Sequence, residues 1–413
     1  MKILIVNTYD IEGGAARASY RLHNALLDGG VKSEMLVYNK SSDNYTVVGP
    51  VVKKQKVLAK VQMLLDPLPL IFYKNRTKTY FSPACAPFSN IVNDINKMNA
   101  DIVHLHWIND GMISIEDLAK IKAPIVWTLH DMWPFTGGCH YSEGCERYEK
   151  KCGKCKVLVS EKENDLSRKI YIRKQKAFLK KENITIVGLS KWLITCSKKS
   201  SLLKSKKHVN IPNLINIENF KSYDRDQARV LWNLPKNKKL LLFGAMDATS
   251  DPRKGFKELN EALHKIKNKE DIELVIFGSS RPKQNQNLGF KIHYLGKIYD
   301  DVSLVTLFSA VDIVLVPSLE ENLSNVIMEG LACATPVVAF NIGGNSDMIE
   351  HKINGYLAKQ NNTEDLANGI EWVLNESNYD DICQNARNKV VTNFSQEIVL
   401  EQYLELYNTI INN

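Results

Sequence analysis

The chain has 413 residues, 44% of them hydrophobic and 24% charged. That length exceeds one ordinary core and predicts two domains of roughly 200 residues with a cleft between them. The composition excludes a disordered chain, a coiled coil and a low-complexity scaffold. The net charge of +8 is concentrated, because Arg147 to Lys207 holds 19 Lys or Arg against five Asp or Glu. Such a face suits nucleic acid, an anionic membrane or a phosphorylated substrate.

In chain order, the opening Met1-Lys-Ile-Leu-Ile-Val run is too short for a signal peptide, and Gly13-Gly14 follow it. The longest apolar stretch, Val57 to Tyr73, is broken by Lys60, Asp66, Pro67 and Pro69, so no transmembrane span is expected. These features predict a soluble, cytoplasmic protein whose eight cysteines are free thiols first and metal ligands second. Strands are expected at Lys2–Thr8, Ser33–Tyr38, Asp101–Trp107, Pro124–His130 and Ile184–Leu189, with helices at Ala15–Leu27, Ile113–Ile121 and Ser167–Lys181.

After His208 the segment Val-Asn-Ile-Pro-Asn-Leu reads as a connector. The alternation then resumes with strands at Lys239–Phe243, Ile272–Phe277, Asp312–Val316 and Pro336–Phe340, and helices at Phe256–Lys267, Val302–Ala310 and Leu323–Ala334. Parallel neighbours need crossover helices, so each half is expected to be α/β, a doubly wound parallel sheet with its ligand beyond the carboxyl ends of the strands. The domains are placed at 1–210 and 211–395, with a last helix over 396–413 returning to the first.

The most informative stretch runs from Pro317 through Glu321, Asn322, Leu323, Ser324, Asn325 and Glu329 to Thr335-Pro-Val-Val. Eight helical residues rise about 12 Å, roughly the span from a hexose to a ribose across a diphosphate. Glu321 and Glu329 could therefore hold the two ends of a nucleotide sugar, with a helix amino terminus favouring the phosphates between them. The competing reading is a pair of solvated glutamates on an amphipathic helix.

This grammar of Pro-Ser, Glu, apolar, Glu, small residue and Thr-Pro-Val-Val resembles the retaining glycosyltransferases of family 4, whose GT-B fold has two facing Rossmann-like domains. The resemblance implies that Glu321 contacts the donor sugar and Glu329 the ribose. Asn322 to Asn325 and the Gly343-Gly344 loop would line the donor, and the strand exit Gly278-Ser279 would meet the base. It further implies that Arg253 and Lys254 neutralise the leaving diphosphate. The family usually sets an Arg directly after the strand glycine, whereas Gly244 is followed here by Ala245-Met246. Arg253 therefore has to take that role.

Gly13 and Gly14 open a helix where bare amides can approach phosphate. By the same resemblance His130, ending a strand, contacts the sugar near the reacting carbon. Asp300-Asp301 reads as a helix start rather than a metal site.

A Cys-rich insertion over 137–156 carries Cys139, Cys145, Cys152 and Cys155, with spacing that a structural zinc could accept and with His140 as a substitute ligand. Similar insertions occur in family 4 enzymes of polysaccharide gene clusters. No cofactor is required for catalysis on this reading. Lys53 to Lys78 carries seven basic residues and one acid around apolar residues, which fits contact with an anionic leaflet and a lipid-linked acceptor, or alternatively a packed helix. The basic tract lacks interleaved aromatics, so nucleic acid is not an expected partner.

The resulting expectation is a retaining transferase, moving a hexose-type sugar from a UDP- or GDP-sugar to a glycan or lipid-linked hydroxyl in capsule, exopolysaccharide or lipopolysaccharide synthesis. The alternatives are an epimerase or phosphorylase of the same fold, or a non-enzymatic polyanion-binding protein.

Overall fold

The computed structural model describes residues 1–85, 90–244, 251–278, 288–298 and 300–412. The chain divides into two units, Met1–Asn213 with Leu400–Asn413, and Leu214–Val399. The doubly wound α/β architecture expected from the alternation is present in both.

In the first unit the strands are β1 (Lys2–Tyr9), β2 (Lys32–Asn39), β3 (Val47–Val48), β4 (Ile102–Leu105), β5 (Ile125–Leu129), β6 (Ile184–Gly188) and β7 (Lys207–Asn210). They are all parallel, in the order β3-β2-β1-β4-β5-β6-β7. Ile3 to Thr8 are buried without a break, because helices cover both faces of a parallel sheet and polar alternation has no place there. Trp127 of β5 meets Trp133 and the edge of Phe178 in the core, with ring centroids 6.2 and 5.9 Å away.

The sheet grows in one direction from β1 and in the other from β4, so the switch point lies between these two strands. At such a point the flanking connections diverge to opposite faces and leave a crevice at the carboxyl edge.

The second unit repeats the plan with β8 (Lys239–Gly244), β9 (Ile272–Phe277), β10 (Lys291–Gly296), β11 (Ile313–Val316), β12 (Val337–Phe340) and β13 (Gly355–Ala358), in the order β10-β9-β8-β11-β12-β13. Its switch point lies between β8 and β11. Arg229 and Asp312 pin the amino ends of these two strands: their side chains pair at 2.8 Å, and Asp312 also accepts the Leu240 amide at 2.7 Å.

Two of the expected elements differ in the structure. Ile113, Ile115, Leu118 and Ile121 are all buried, but Ile113–Ile121 holds only a short 3-10 turn, Glu116–Lys120. Lys181 seals its end by donating to the carbonyls of Ile121 and Ala123. The segment read as a connector begins in an edge strand, β7, whose half-exposed residues give no apolar run. Residues from Leu400 of the Gln396–Ile411 helix belong to the first unit, where Tyr407 Oη lies 2.6 Å from His104 Nδ1 and Tyr403 Oη 3.3 Å from Thr128 Oγ1.

Buried imidazoles make this first unit acid-sensitive. Burial lowers His23 to about 4, His104 to about 3 with help from His130, and His130 to about 4 against the opposing pull of Asp131. The native groups stay neutral where an unfolded chain takes up protons, from about pH 6.5 downward. Their stabilisation is thus complete above that pH and is lost as pH falls toward 4. Melting temperature should drop between pH 7 and 4.5, with amide exchange accelerating in β4 and β5 first; a melting temperature constant over that range would refute the assignment.

Candidate functional site

At the carboxyl edge of the second unit, three loops converge on Glu321. The chain leaving β8 is described again at Asp251, whose Oδ1 accepts the Arg253 amide at 2.9 Å and opens the short turn Pro252–Lys254. Gly255 ends that turn at φ 71°, and a Cβ there would stand 1.8 Å from the Pro317 carbonyl oxygen. The loop is thereby pressed onto the chain leaving β11, where Leu319 N donates to Arg253 O at 2.8 Å. Gly343, after β12, has φ 51°, and a Cβ would lie 1.7 Å from the Glu321 carbonyl oxygen. Only glycine permits both approaches.

The result is an ion cluster. Lys254 Nζ stands 2.8 Å from Glu321 Oε2, and Arg253 Nη1 stands 3.9 Å from the same oxygen. Arg253 also pairs with Asp251 at 3.1 Å and donates to Glu320 O at 3.2 Å. Glu321 is 9% exposed. Burial would raise its carboxyl, but Lys254 and Arg253 overcome that and hold it below the ordinary carboxylate range. The site offers a charged acceptor for hydroxyls and two cations at the same point.

Asn322, Leu323 and Ser324 are buried beside it, and the helix Asn325–Ala332 begins one residue later. The helical rise assumed from Glu321 to Glu329 therefore applies only from Asn325 onward, since Glu321 sits in the preceding loop. Glu329 is 2% exposed on that helix. Burial, and after it the charge of Glu329, pushes the Cys333 thiol up. The solvated-glutamate reading fails for both carboxylates. Gly344 caps the short helix Asn345–Met348. Gly278 follows β9 at φ 81°, while Ser279, like Ala245 and Met246, lies outside the described residues. Asp300 caps the helix Asp301–Ala310 by accepting the Ser303 amide at 2.7 Å.

In the first unit Gly13 adopts φ 95° and caps the helix Gly14–Asp28, with open space where a Cβ would be. His130 leaves β5 with its Nε2 2.9 Å from His106 Nδ1. Asp131 then gathers the neighbourhood, accepting from Trp107 Nε1 at 3.0 Å and from the Trp133 amide at 2.8 Å, and meeting His140 Nδ1 at 2.6 Å. Sequence reasoning missed His106, Trp107, Asp110, Asp131 and Tyr80. The run Asp-Ile-Val-His-Leu-His-Trp was a usable signal, since two histidines alternating on a core strand must find buried partners.

Cys139, Cys145, Cys152 and Cys155 line one small pocket of about 20 Å³. Among the described residues no three His, Cys, Asp or Glu side chains stand where one ion could reach them. His140 is unsuited as a substitute ligand, because its Nε2 is also engaged, 2.8 Å from Ser82 Oγ.

Residues 224–390 match the family model described as Glycosyl transferases group 1. The chain spans about half the length, or less, of the first curated relatives it matches, namely 42%, 40% and 56%. The phosphatidyl-myo-inositol mannosyltransferase of Mycobacterium leprae is 23% identical over 92% of this chain and 93% of its own. Sucrose-phosphate synthase of Thermosynechococcus elongatus superposes with a TM-score of 0.69 at 18% identity, covering all of both chains. HepE of Anabaena, solved with UDP and glucose, gives 0.66 at 18% identity over 99% of each. The similarity to group 1 glycosyl transferases thus lies within the second unit, at residues 224–390, and the fold of the chain is the GT-B fold of these solved structures.

Proposed function

We propose that the chain transfers a hexose-type sugar from a nucleoside diphosphate, UDP or GDP, to an acceptor hydroxyl with retention of anomeric configuration. The observation that carries this reading is the Lys254–Glu321 pair at 2.8 Å, set at the switch point of the second sheet. The ionised Glu321 orients sugar hydroxyls, and Glu329 reaches the ribose. As the glycosidic bond lengthens, positive charge grows on the sugar ring and negative charge on the leaving diphosphate. Lys254 and Arg253 counter the latter, with amides from the Gly343 loop. The departing phosphate takes the acceptor proton on the attacked face. HepE, with its bound UDP and glucose, supports a nucleotide-sugar donor.

Incubation with UDP- and GDP-sugars should show slow donor hydrolysis. Glu321→Gln and Lys254→Ala should each lower turnover by about 10²- to 10³-fold, as the loss of one preorganised charge does. Near-normal rates in either variant remove that residue from the site.

The acceptor on this reading is a sugar or sugar-lipid at an anionic membrane surface, within capsule, exopolysaccharide or lipopolysaccharide synthesis. The support is the helix Lys53–Leu65 and the turn Leu68–Phe72, on which Leu64, Ile71 and Phe72 are 73%, 61% and 88% exposed beside exposed Lys53, Lys54, Lys56 and Lys60. Apolar anchors ringed by lysines suit an acidic leaflet. No helix among the described residues is long and apolar enough to cross a membrane. The protein should float with vesicles containing phosphatidylglycerol and not with pure phosphatidylcholine, and Leu64→Glu with Phe72→Glu should abolish flotation. Flotation unaffected by the two changes refutes the contact.

A structural zinc on Cys139, Cys145, Cys152 and Cys155 is a separate proposal, supported by their shared pocket and requiring the thiols to turn toward one point. Metal analysis should then give about one zinc per chain, lost on Cys152→Ser. Zinc-free protein of unchanged stability rejects it.

A further inference from the structure

The switch point of the first sheet carries a second constellation, in the other unit from Glu321. Tyr9 ends β1, Trp107 follows β4 by two residues, and Tyr80 comes from the loop between β3 and β4. Main-chain bonds fix Tyr80 there: His140 N donates to Tyr80 O at 3.0 Å, and Ser82 N donates to Gly138 O at 2.9 Å. The Trp107 ring neighbours both phenols, with centroids 6.2 Å from Tyr9 and 6.1 Å from Tyr80. Its indole N–H is held by Asp131, one residue after His130.

Asp110 completes the group. It takes the left-handed φ of 56°, its Oδ2 accepts the Tyr9 hydroxyl at 2.8 Å, and its Oδ1 accepts the Tyr80 hydroxyl. Burial, and then the charge of Asp110, raises both phenols, so they remain donors. Each carboxylate oxygen keeps a lone pair for a further hydroxyl. Tyr80 is 51% exposed, so the platform is open to solvent.

Buried polar atoms without a partner occur on chain neighbours of this group and on the helix packed against Gly111. Among the described residues, seven buried side-chain nitrogen or oxygen atoms lack a hydrogen-bond partner. Four of them are Gln62 Nε2, Gln62 Oε1, His106 Nε2 and Asn109 Oδ1. His106 adjoins Trp107 and Asn109 adjoins Asp110. Gln62 belongs to the Lys53–Leu65 helix, and a Cβ on Gly111 would lie 2.8 Å from its carbonyl oxygen. Buried orphans are rare in native proteins and each asks for a ligand or water.

We propose that Tyr9, Tyr80, Trp107 and Asp110 form an acceptor subsite for a hexopyranose ring, presented beside the lysine-rich helix so that the sugar is the head of a membrane lipid. The inference rests on the transferase reading for the use of the bound sugar, though not for its binding. Aromatic faces take the apolar C–H face of a pyranose and Asp110 takes its hydroxyls, the combination of apolar wall and few placed polar groups that small-molecule sites share. A free glycan and a glycolipid offer the same ring, and the helix contact through Gly111 favours the second.

The test uses the full chain with methyl and octyl hexopyranosides. Saturation-transfer NMR should show ring protons of the bound glycoside in contact with protein. Tyr80→Ala and Asp110→Asn should abolish that signal, and Tyr80→Phe should retain it, because the ring survives; Asn also tolerates the left-handed φ. With a nucleotide-sugar donor, the Ala and Asn variants should raise acceptor KM at least about tenfold and leave donor hydrolysis within about twofold. The octyl glycoside in phosphatidylglycerol vesicles should be the better acceptor. Preference for the methyl glycoside overturns the lipid assignment. Unchanged acceptor KM in both variants, or saturation of the octyl chain alone, overturns the subsite. Donor inertness of the unaltered protein counts against the transferase reading, and the NMR arm then decides the subsite by itself.

Discussion

A carboxylate buried against two cations is the constraint on which the second unit is organised. Glu321 could not remain ionised at 9% exposure without Lys254 at 2.8 Å, and Lys254 could not reach it unless Gly255 and Gly343 let three backbones close to near contact. Burying charges is unfavourable on its own, and the ion pair offsets that only when its geometry is fixed. The fixing is done by turns rather than by core packing. Each turn follows a strand of a parallel sheet, so the same topology that buries β8, β11 and β12 also delivers their exits to one edge.

Much of this was legible in the sequence, for a physical reason. Strands buried on both faces read as unbroken apolar runs, and β1, β5, β8, β9, β11 and β12 were found that way. Edge strands do not: β10 is only partly buried along its length, and its Lys-Ile-His-Tyr reads as loop. The Glu321–Glu329 motif was visible because its spacing is local. The aromatic cluster of the first unit was not, since Tyr9, Tyr80 and Trp107 lie far apart in the chain and meet only through strand order. The helix over Ile113–Ile121 was misread because its apolar spacing is satisfied by a packed loop whose carbonyls are sealed by a distant lysine.

That lysine also revises the meaning of the basic tract. Between Arg147 and Lys207 a positive surface was anticipated, yet several of these cations point inward. Lys174 donates to Trp133 O and Thr136 O, Lys181 to the Ile121 and Ala123 carbonyls, and Lys206 to Phe178 O and Lys181 O. Burial lowers Lys174 to about 7, so part of the formal excess is not permanent charge at all. These lysines serve as long-reach donors that close loop ends where no backbone amide is available. The exposed cations near Lys53 remain the better candidates for meeting an anionic surface.

The pairing of His104 with Tyr407 spans 303 residues of sequence. During synthesis the strands of the first sheet are thus all made before their helical cover is, and the imidazole stays without its phenol until the intervening second unit has left the ribosome. The aminoterminal lobe is begun before the other lobe and completed after it. A nascent chain halted within the other lobe would hold a nearly complete fold that lacks its final rivet.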